Sequence, residues 1–484
     1  MSDPRQRSSM LQLFPEPAAP GAVSPRRAGD VIRSARELGE TYLVAALFAP
    51  WIALAGSGRR ILLAIVLLDI PLQIDRHFAY RSDAADLGAL GGFSVSLTTL
   101  ALAGLYAGWA IDRLVRRNRS TRVSLPLLAP IAPYVLVSAL SIVTALDLGL
   151  YARGLWLLLQ MFLVYVYVAG AVRTEEDVRF VLVLLLCGLV LEGGIIVGLG
   201  LAGEGFKVAG LTGRIDDYTE EFGHMARFGG TVGSPNNAAM YLEMLLAPAV
   251  AVLATRLGRP VKVLAVLGLG LGAAALMTTQ SRGGWLAALL SLAIVCLSLW
   301  RGRKLSPVVP LVLVLVLSGI GLLFRESVLN RLSSDDRGSA QSRVSLVPTA
   351  FDIIGEAPLL GVGANNYTAA LEPRLSLLGN QWLFTVHNQY LIVWAEVGLI
   401  GLIAFLWFLA ATFRHGWQRW KRDDAVLSPL ALGFTAGLAG QMVHMHVDIF
   451  NSRPQVQLLM TVAALLAAMS RMPGQSSLPR RAQP

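Results

Sequence analysis

Three arginines and a histidine stand at the edges of apolar runs, and their chemistry is specific. Arg227 lies in "MARFGGTVGSPNN", Arg282 in "TTQSRGGWLA" and Arg343 at the head of "RVSLVPTAFDIIGEAPLLGVGANNY". His387 opens "HNQYLIVWAEVGLIGLIAFLW". A guanidinium presents a planar fork of donors and keeps its charge at any working pH, so it suits phosphate and pyrophosphate. Imidazole has the unperturbed pKa nearest neutrality, which suits a general base or proton shuttle. Gly283 and Gly284 come directly after Arg282 and would let a neighbouring helix approach its charge. In "GGTVGSPNN", Pro235 shapes a turn, and Asn236 or Asn237 is placed to cap the next helix. Backbone N–H groups of that turn would add to an anion site. Asn388, next to the histidine, joins Gly283, Pro235 and Asn236 as a residue that shapes the site. Taken singly, an arginine at a helix end commonly snorkels to headgroups, and an interfacial histidine commonly bonds at a rim. The anion-site reading gains weight only if all four reach one side of a membrane.

The elements that would position them are membrane spans. The chain has 484 residues, of which 55% are hydrophobic and 15% charged, against about 25% charged in soluble domains. Apolar runs occur at 41–56, 61–74, 92–111, 125–146, 155–172, 180–202, 238–255, 263–280, 285–300, 306–324, 388–412, 430–446 and 456–470. Many approach the ~20 residues that a crossing helix needs, and they lack the alternation of a spanning strand. The expected fold is an all-α polytopic membrane protein with about 12–13 transmembrane helices. The segment 41–74, split by "GSGRR", is one crossing or two. Residues 1–40 read as a polar, Pro-rich, disordered tail, without the apolar core of a signal peptide. The membrane domain covers 41–470, and 471–484 is a cytoplasmic tail.

The net charge of +10 does not call for nucleic acid. Lys and Arg gather in the short loops 112–122, 256–262, 301–304 and 414–422, which the positive-inside rule makes cytoplasmic. The loops at 75–91, 147–154, 203–237, 325–387 and 447–455 then face outward, and all four residues of the opening lie on that side. The stretch 325–387 is too long for a plain connection. It reads as a partly helical cap with Val344, Val347, Phe351 and Ile354 on one face. A break is expected at Pro358 and "GVG", with Asn365 or Asn366 capping the next helix. Cys187 and Cys296 lie in apolar runs and suggest no disulfide. In "HMHVD", only His444 and Asp448 share a helical face, too few ligands for a zinc site; no metal or other cofactor is expected. Asp69, Glu192 and Glu396 are acids within apolar runs, where a structural hydrogen bond competes with a functional role.

"RFGGTVGSPNN", "TQSRGGWLA", "APLLGVGANNY" and "HNQYLIVWAEVGLIGL", in this order and spacing, resemble the O-antigen ligase and Wzy-type polymerase superfamily over residues 200–415. The resemblance implies a metal-independent glycosyltransferase of the bacterial inner membrane. It would take a glycan from undecaprenyl pyrophosphate at the periplasmic face. A ligase passes the glycan to the lipid A core; a polymerase passes it to another lipid-linked glycan, as in O-antigen or exopolysaccharide synthesis. Carried over by motif, His387 is the essential histidine, and Arg282 and Arg227 bind pyrophosphate, with Arg343 a weaker match. The family's Asn-Pro-Asn turn is here Ser234-Pro235-Asn236, which puts any role of the first Asn in doubt. A flippase for lipid-linked sugar is a more distant alternative. It would be expected to show inverted repeats and charges near the midplane, and neither is visible.

Overall fold

The computed structural model describes residues 57–115, 128–208, 211–216, 226–304, 339–375 and 384–473, with isolated positions between 306 and 325. The expected run 41–56, the N-terminal tail and most of the run 306–324 lie outside the described residues. The remaining apolar runs are helices: α1 (Gly58–Leu72), α2 (Leu97–Leu114), α3 (Ala132–Leu140), α4 (Leu148–Ala171), α5 (Glu175–Ala202), α6 (Pro235–Leu253), α7 (Arg259–Thr279) and α8 (Arg282–Arg301). The cap contributes α9 (Ser339–Glu356) and α10 (Tyr367–Leu375), and beyond it lie α11 (Gln389–Trp420), α12 (Leu427–His444) and α13 (Arg453–Arg471). Six of them, α4 to α8 and α11, are long and apolar enough to cross a membrane.

The helices sort by what surrounds them. α6 is buried along almost its whole length, as are α12 and α13. α7 and α8 turn Val263, Val266, Leu267, Leu286 and Leu289 outward, each at least half exposed. A continuous apolar surface of that kind needs lipid around it. Tight packing at the centre relies on small residues, since without water no hydrophobic force drives helices together in a bilayer. A Cβ on Gly437 would collide with the Met244 carbonyl oxygen, and one on Gly440 would stand 2.6 Å from that of Ala287. α12 therefore lies directly on the backbones of α6 and α8.

Two small antiparallel sheets lie between the helices. β1 (Asp75–Phe78) pairs with β2 (Phe93–Ser96). β3 (Phe206–Val208), β4 (Leu211–Asp216) and β5 (Arg227–Gly230) form the other in that order. Strands of three to six residues satisfy backbone groups where the chain turns back between long helices.

The cap is stitched into a break in α11. Gly398 is non-helical, at φ 69°, and a Cβ there would collide with the Leu359 carbonyl. The "PLLGVG" turn fills the break. Val362 N–H donates to the Ala395 carbonyl (2.9 Å), Gly363 N–H to that of Glu396 (2.8 Å) and Leu399 N–H to that of Pro358 (2.9 Å). The Glu396 carboxylate accepts from the Tyr367 N–H at 3.3 Å. Its role is thus a backbone bond that holds the cap.

The structure adds to one expectation for the cap and corrects another. α9 buries Leu346, Ala350, Ile353 and Ile354, whereas Val344 and Phe351 are 62% and 50% exposed. The helix carries two apolar stripes, and the one with smaller side chains at its middle packs against α11. Asn365 and Asn366 do not cap α10 with their side chains. Asn365 accepts from Leu90 N–H at 2.8 Å and donates to the Leu150 carbonyl at 2.8 Å. Asn366 accepts from Asp147 N–H at 2.5 Å. Both anchor the cap to the loops before β2 and α4.

Candidate functional site

Two helix starts and the cap converge on one narrow cleft, lined by Arg227, Asn236, Ser281, Arg282, Gly283, Arg343, His444 and Asp448 among others. α8 begins at Arg282, with the Ser281 hydroxyl accepting from Gly284 N–H at 3.3 Å. Gln280 takes the left-handed conformation that ends α7, so the turn between the two helices is tight. α6 begins at Pro235, and Ser234, not Asn236 or Asn237, is its cap, accepting from Asn237 N–H at 3.2 Å. Serine at this position does the capping work itself. The positive ends of two helix dipoles thus reach the cleft, in addition to three guanidinium groups.

With the cap supplied by Ser234, Asn236 is free for another task. Its Oδ1 accepts from Arg227 Nη2 at 2.8 Å, while Arg227 Nε donates to the Thr279 carbonyl at 2.9 Å. The loop carrying Arg227 is itself pinned from below. Glu192 accepts from Thr231 N–H at 2.8 Å, from the Thr231 hydroxyl at 2.5 Å and from Val232 N–H at 3.1 Å. Gln73 donates to the Val232 carbonyl. Glu192 is therefore the anchor of an irregular turn. Arg343 reaches in from α9, and its Nη1 donates to the Val447 carbonyl at 3.1 Å. Gly283 has no room for a side chain: a Cβ there would stand 2.7 Å from the His444 ring.

The structure brings Arg227, Arg282, Arg343, Asn236 and Gly283 to one cleft, in keeping with their positions at helix edges. His387 does not line the cleft. It lies beside it, half-buried, where the charges of Asp448 and Arg343 both act on it. Burial pushes the imidazole below its ordinary value. The positive charge of Arg343 adds to that, and Asp448 and the backbone at Thr385 oppose it. The neutral ring is the form that accepts a proton. Phe384 packs over it with ring centroids 5.5 Å apart. Asn388 caps α11, accepting from Tyr390 N–H at 3.0 Å and Leu391 N–H at 3.1 Å, and so fixes where the histidine leaves the cap.

One group is not legible from the sequence as part of the site. His444 Nδ1 lies 2.8 Å from Glu243 Oε2, with both side chains 1% exposed, and His444 Nε2 lies 4.0 Å from Asp448 Oδ2. The spacing of His444 and Asp448 shows their shared face, but suggests only a weak metal site. The partner of His444 is Glu243 in α6, a residue 201 positions away inside an apolar run. Nothing in the local sequence marks it.

Residues 267–406 match the family described as O-antigen ligase, which places this segment in the O-antigen ligase and Wzy-type superfamily. The matched span runs from α7 into α11 and contains Arg282, Gly283, Arg343, His387 and Asn388. Arg227 and Asn236 precede it, and His444 and Asp448 lie beyond it. No curated protein matches the chain.

Proposed function

We propose that this protein is a membrane glycosyltransferase that moves a glycan from a polyprenyl pyrophosphate carrier, undecaprenyl pyrophosphate in a bacterial inner membrane, to an acceptor at the outer face. The type is O-antigen ligase, with the lipid A core as acceptor. The observation that carries this reading is the cleft in which three arginines and two helix N-termini meet beside a half-buried histidine. In the reaction, the acceptor hydroxyl oxygen attacks the anomeric carbon, and the bond from that carbon to the pyrophosphate oxygen breaks. The hydroxyl proton passes to His387. The pyrophosphate leaves with one more negative charge, which Arg227, Arg282 and Arg343 stabilise. In-line attack inverts the anomeric centre. Because the carrier already activates the sugar, no nucleotide-sugar site is required. The cap α9–α10 shields the donor from water, which would otherwise compete with the acceptor.

The test is transfer in membranes from a deletion strain carrying variants. His387→Ala should reduce transfer by about 10²- to 10⁴-fold, the range for losing a general base, with protein still in the membrane. Normal transfer in this variant would remove the histidine from the mechanism. The deletion strain itself separates ligase from polymerase. Long glycans stranded on the lipid carrier mean that final transfer was lost. Single repeats on the carrier, with only short surface glycans, mean that elongation was lost and the acceptor is another lipid-linked glycan.

A further inference from the structure

A second charged cleft lies where the start of α1, the end of α2, the end of α4 and the start of α5 meet. This is the opposite end of the helices from the arginine cleft: Gln73, at the far end of α1, bonds the turn that holds Arg227. The lining includes Arg59, Arg60 and Arg173, with Trp109, Tyr167 and Phe180. Trp109 and Tyr167 are stacked with centroids 4.6 Å apart, and the Arg60 guanidinium lies over the Phe180 ring at 5.9 Å. Arg471 adds a fourth positive charge close to Arg173.

We infer that this cleft is a binding site for the phosphate headgroup of an anionic membrane phospholipid. The arginines are not equally committed to carboxylates of the fold. Arg59 pairs with the buried Asp112. Arg60 meets Glu176 at 3.2 Å, but both side chains are more than half exposed, so water screens that pair and a phosphate can replace the carboxylate at little cost. Arg173 uses its Nε on the Gly170 carbonyl at 2.9 Å, and its terminal nitrogens have no hydrogen-bond partner among the described residues. Those nitrogens form the fork that a phosphate takes in bidentate fashion. Asp177, the acid in the lining, is occupied with the start of α5, accepting from Thr174 N–H at 3.0 Å and the Thr174 hydroxyl at 2.8 Å. The stacked Trp and Tyr rings are the side chains that settle at headgroup depth. Phe180 and Leu63 give the cleft an apolar floor, which suits a lipid's glycerol and upper chains better than free phosphate. The sequence after α2 continues "VRRNRSTR" at 115–122, a further run of basic residues. Basic pockets between helices on that side of a membrane are where anionic headgroups collect. This site is independent of the transfer reaction proposed above.

The test is thermal unfolding of the purified full-length protein in non-ionic detergent with three probes: short-chain phosphatidylglycerol, short-chain phosphatidylcholine and inorganic phosphate. Phosphatidylglycerol should raise the melting temperature by on the order of a few degrees through mass action, and the other two should not. The double variant Arg60→Gln/Arg173→Gln should raise the half-maximal lipid concentration about tenfold or more. Arg301→Gln, an exposed arginine at the end of α8, should leave it unchanged. An equal shift with phosphatidylcholine, or an undiminished shift in the double variant, overturns the proposal. A shift with inorganic phosphate as large as with lipid means a free-anion site and overturns the lipid assignment. If the double variant does not fold, lipids retained by the wild-type protein decide. Retained phosphatidylglycerol-type lipid is expected, and retention of zwitterionic lipid alone counts against the site.

Discussion

Arg453 and Arg227 sit at the same end of the molecule and solve the burial of a guanidinium in opposite ways. Arg453 is 4% exposed and surrounds itself with acids: Asp69 at 3.1 Å and Asp75 at 2.8 Å, with Gln457 Oε1 at 2.7 Å. Its charge is cancelled within the fold, and it ties α13 to α1 and β1. Arg227 and Arg343 are held instead by neutral oxygens, those of Thr279, Asn236 and Val447. Such contacts orient the fork and leave the net charge in place. An arginine neutralised by carboxylates builds structure, whereas one oriented by carbonyls and amides keeps a charge for something that arrives later.

Paired substitutions would break that contrast most directly. Arg453→Met leaves two buried carboxylates without a counter-charge and should cost about 3–5 kcal/mol, seen as a large drop in melting temperature in detergent. Arg227→Met should leave melting close to wild type and reduce glycan transfer about 10²- to 10³-fold, the scale for removing one donor to a developing negative charge. If Arg227→Met melts as badly as Arg453→Met, the neutral-oxygen argument fails and Arg227 is a structural residue. A smaller effect sharpens the same point. Asn236→Ala keeps the charge of Arg227 but loses one contact that aims it. Transfer should fall roughly tenfold, in line with about 1.5 kcal/mol for a charge-assisted hydrogen bond, and the loss should appear in kcat more than in protein abundance. An unchanged kcat would mean that Thr279 alone sets the direction of the guanidinium.

How much of this is legible in the sequence differs from element to element. Long apolar runs declare spans because a bilayer permits little else, and Arg282 at a helix start, with two glycines after it, announces a close-packed, positive helix end. The break in α11 is hidden. Gly398 lies in "AEVGLIGL", where a glycine reads as an ordinary packing residue, and its left-handed backbone is imposed by Leu359, 39 positions earlier in the chain. The buried face of α9 is not legible because two stripes compete and only the partner helix chooses between them. Asn236 reads as a possible cap since an asparagine that caps a helix and one that bonds an arginine look alike until Ser234 is seen to hold the cap. Glu243 is invisible, because a pair formed across 201 positions leaves no local pattern.

The finest test uses the two charges that act on His387. In the proposed reaction the ring must be neutral to take the acceptor's proton, and burial already holds its proton affinity below the ordinary value of 6.5. The acid limb of kcat/KM should therefore lie below that value, with activity lost as pH falls through the limb. Asp448 favours the charged ring and Arg343 disfavours it. Asp448→Asn removes an attraction, so the proton leaves more easily and the limb should move to lower pH. Arg343→Gln removes a repulsion, so the limb should move to higher pH, in addition to whatever binding of pyrophosphate is lost. Opposite displacements of one limb are hard to produce by general damage to the fold, which would lower activity at every pH. If both variants shift the limb in the same direction, or neither does, the titrating group is not His387. Arg343 would then belong with Arg227 as a pure anion ligand, and the base would have to be sought among groups on which Asp448 and Arg343 do not act.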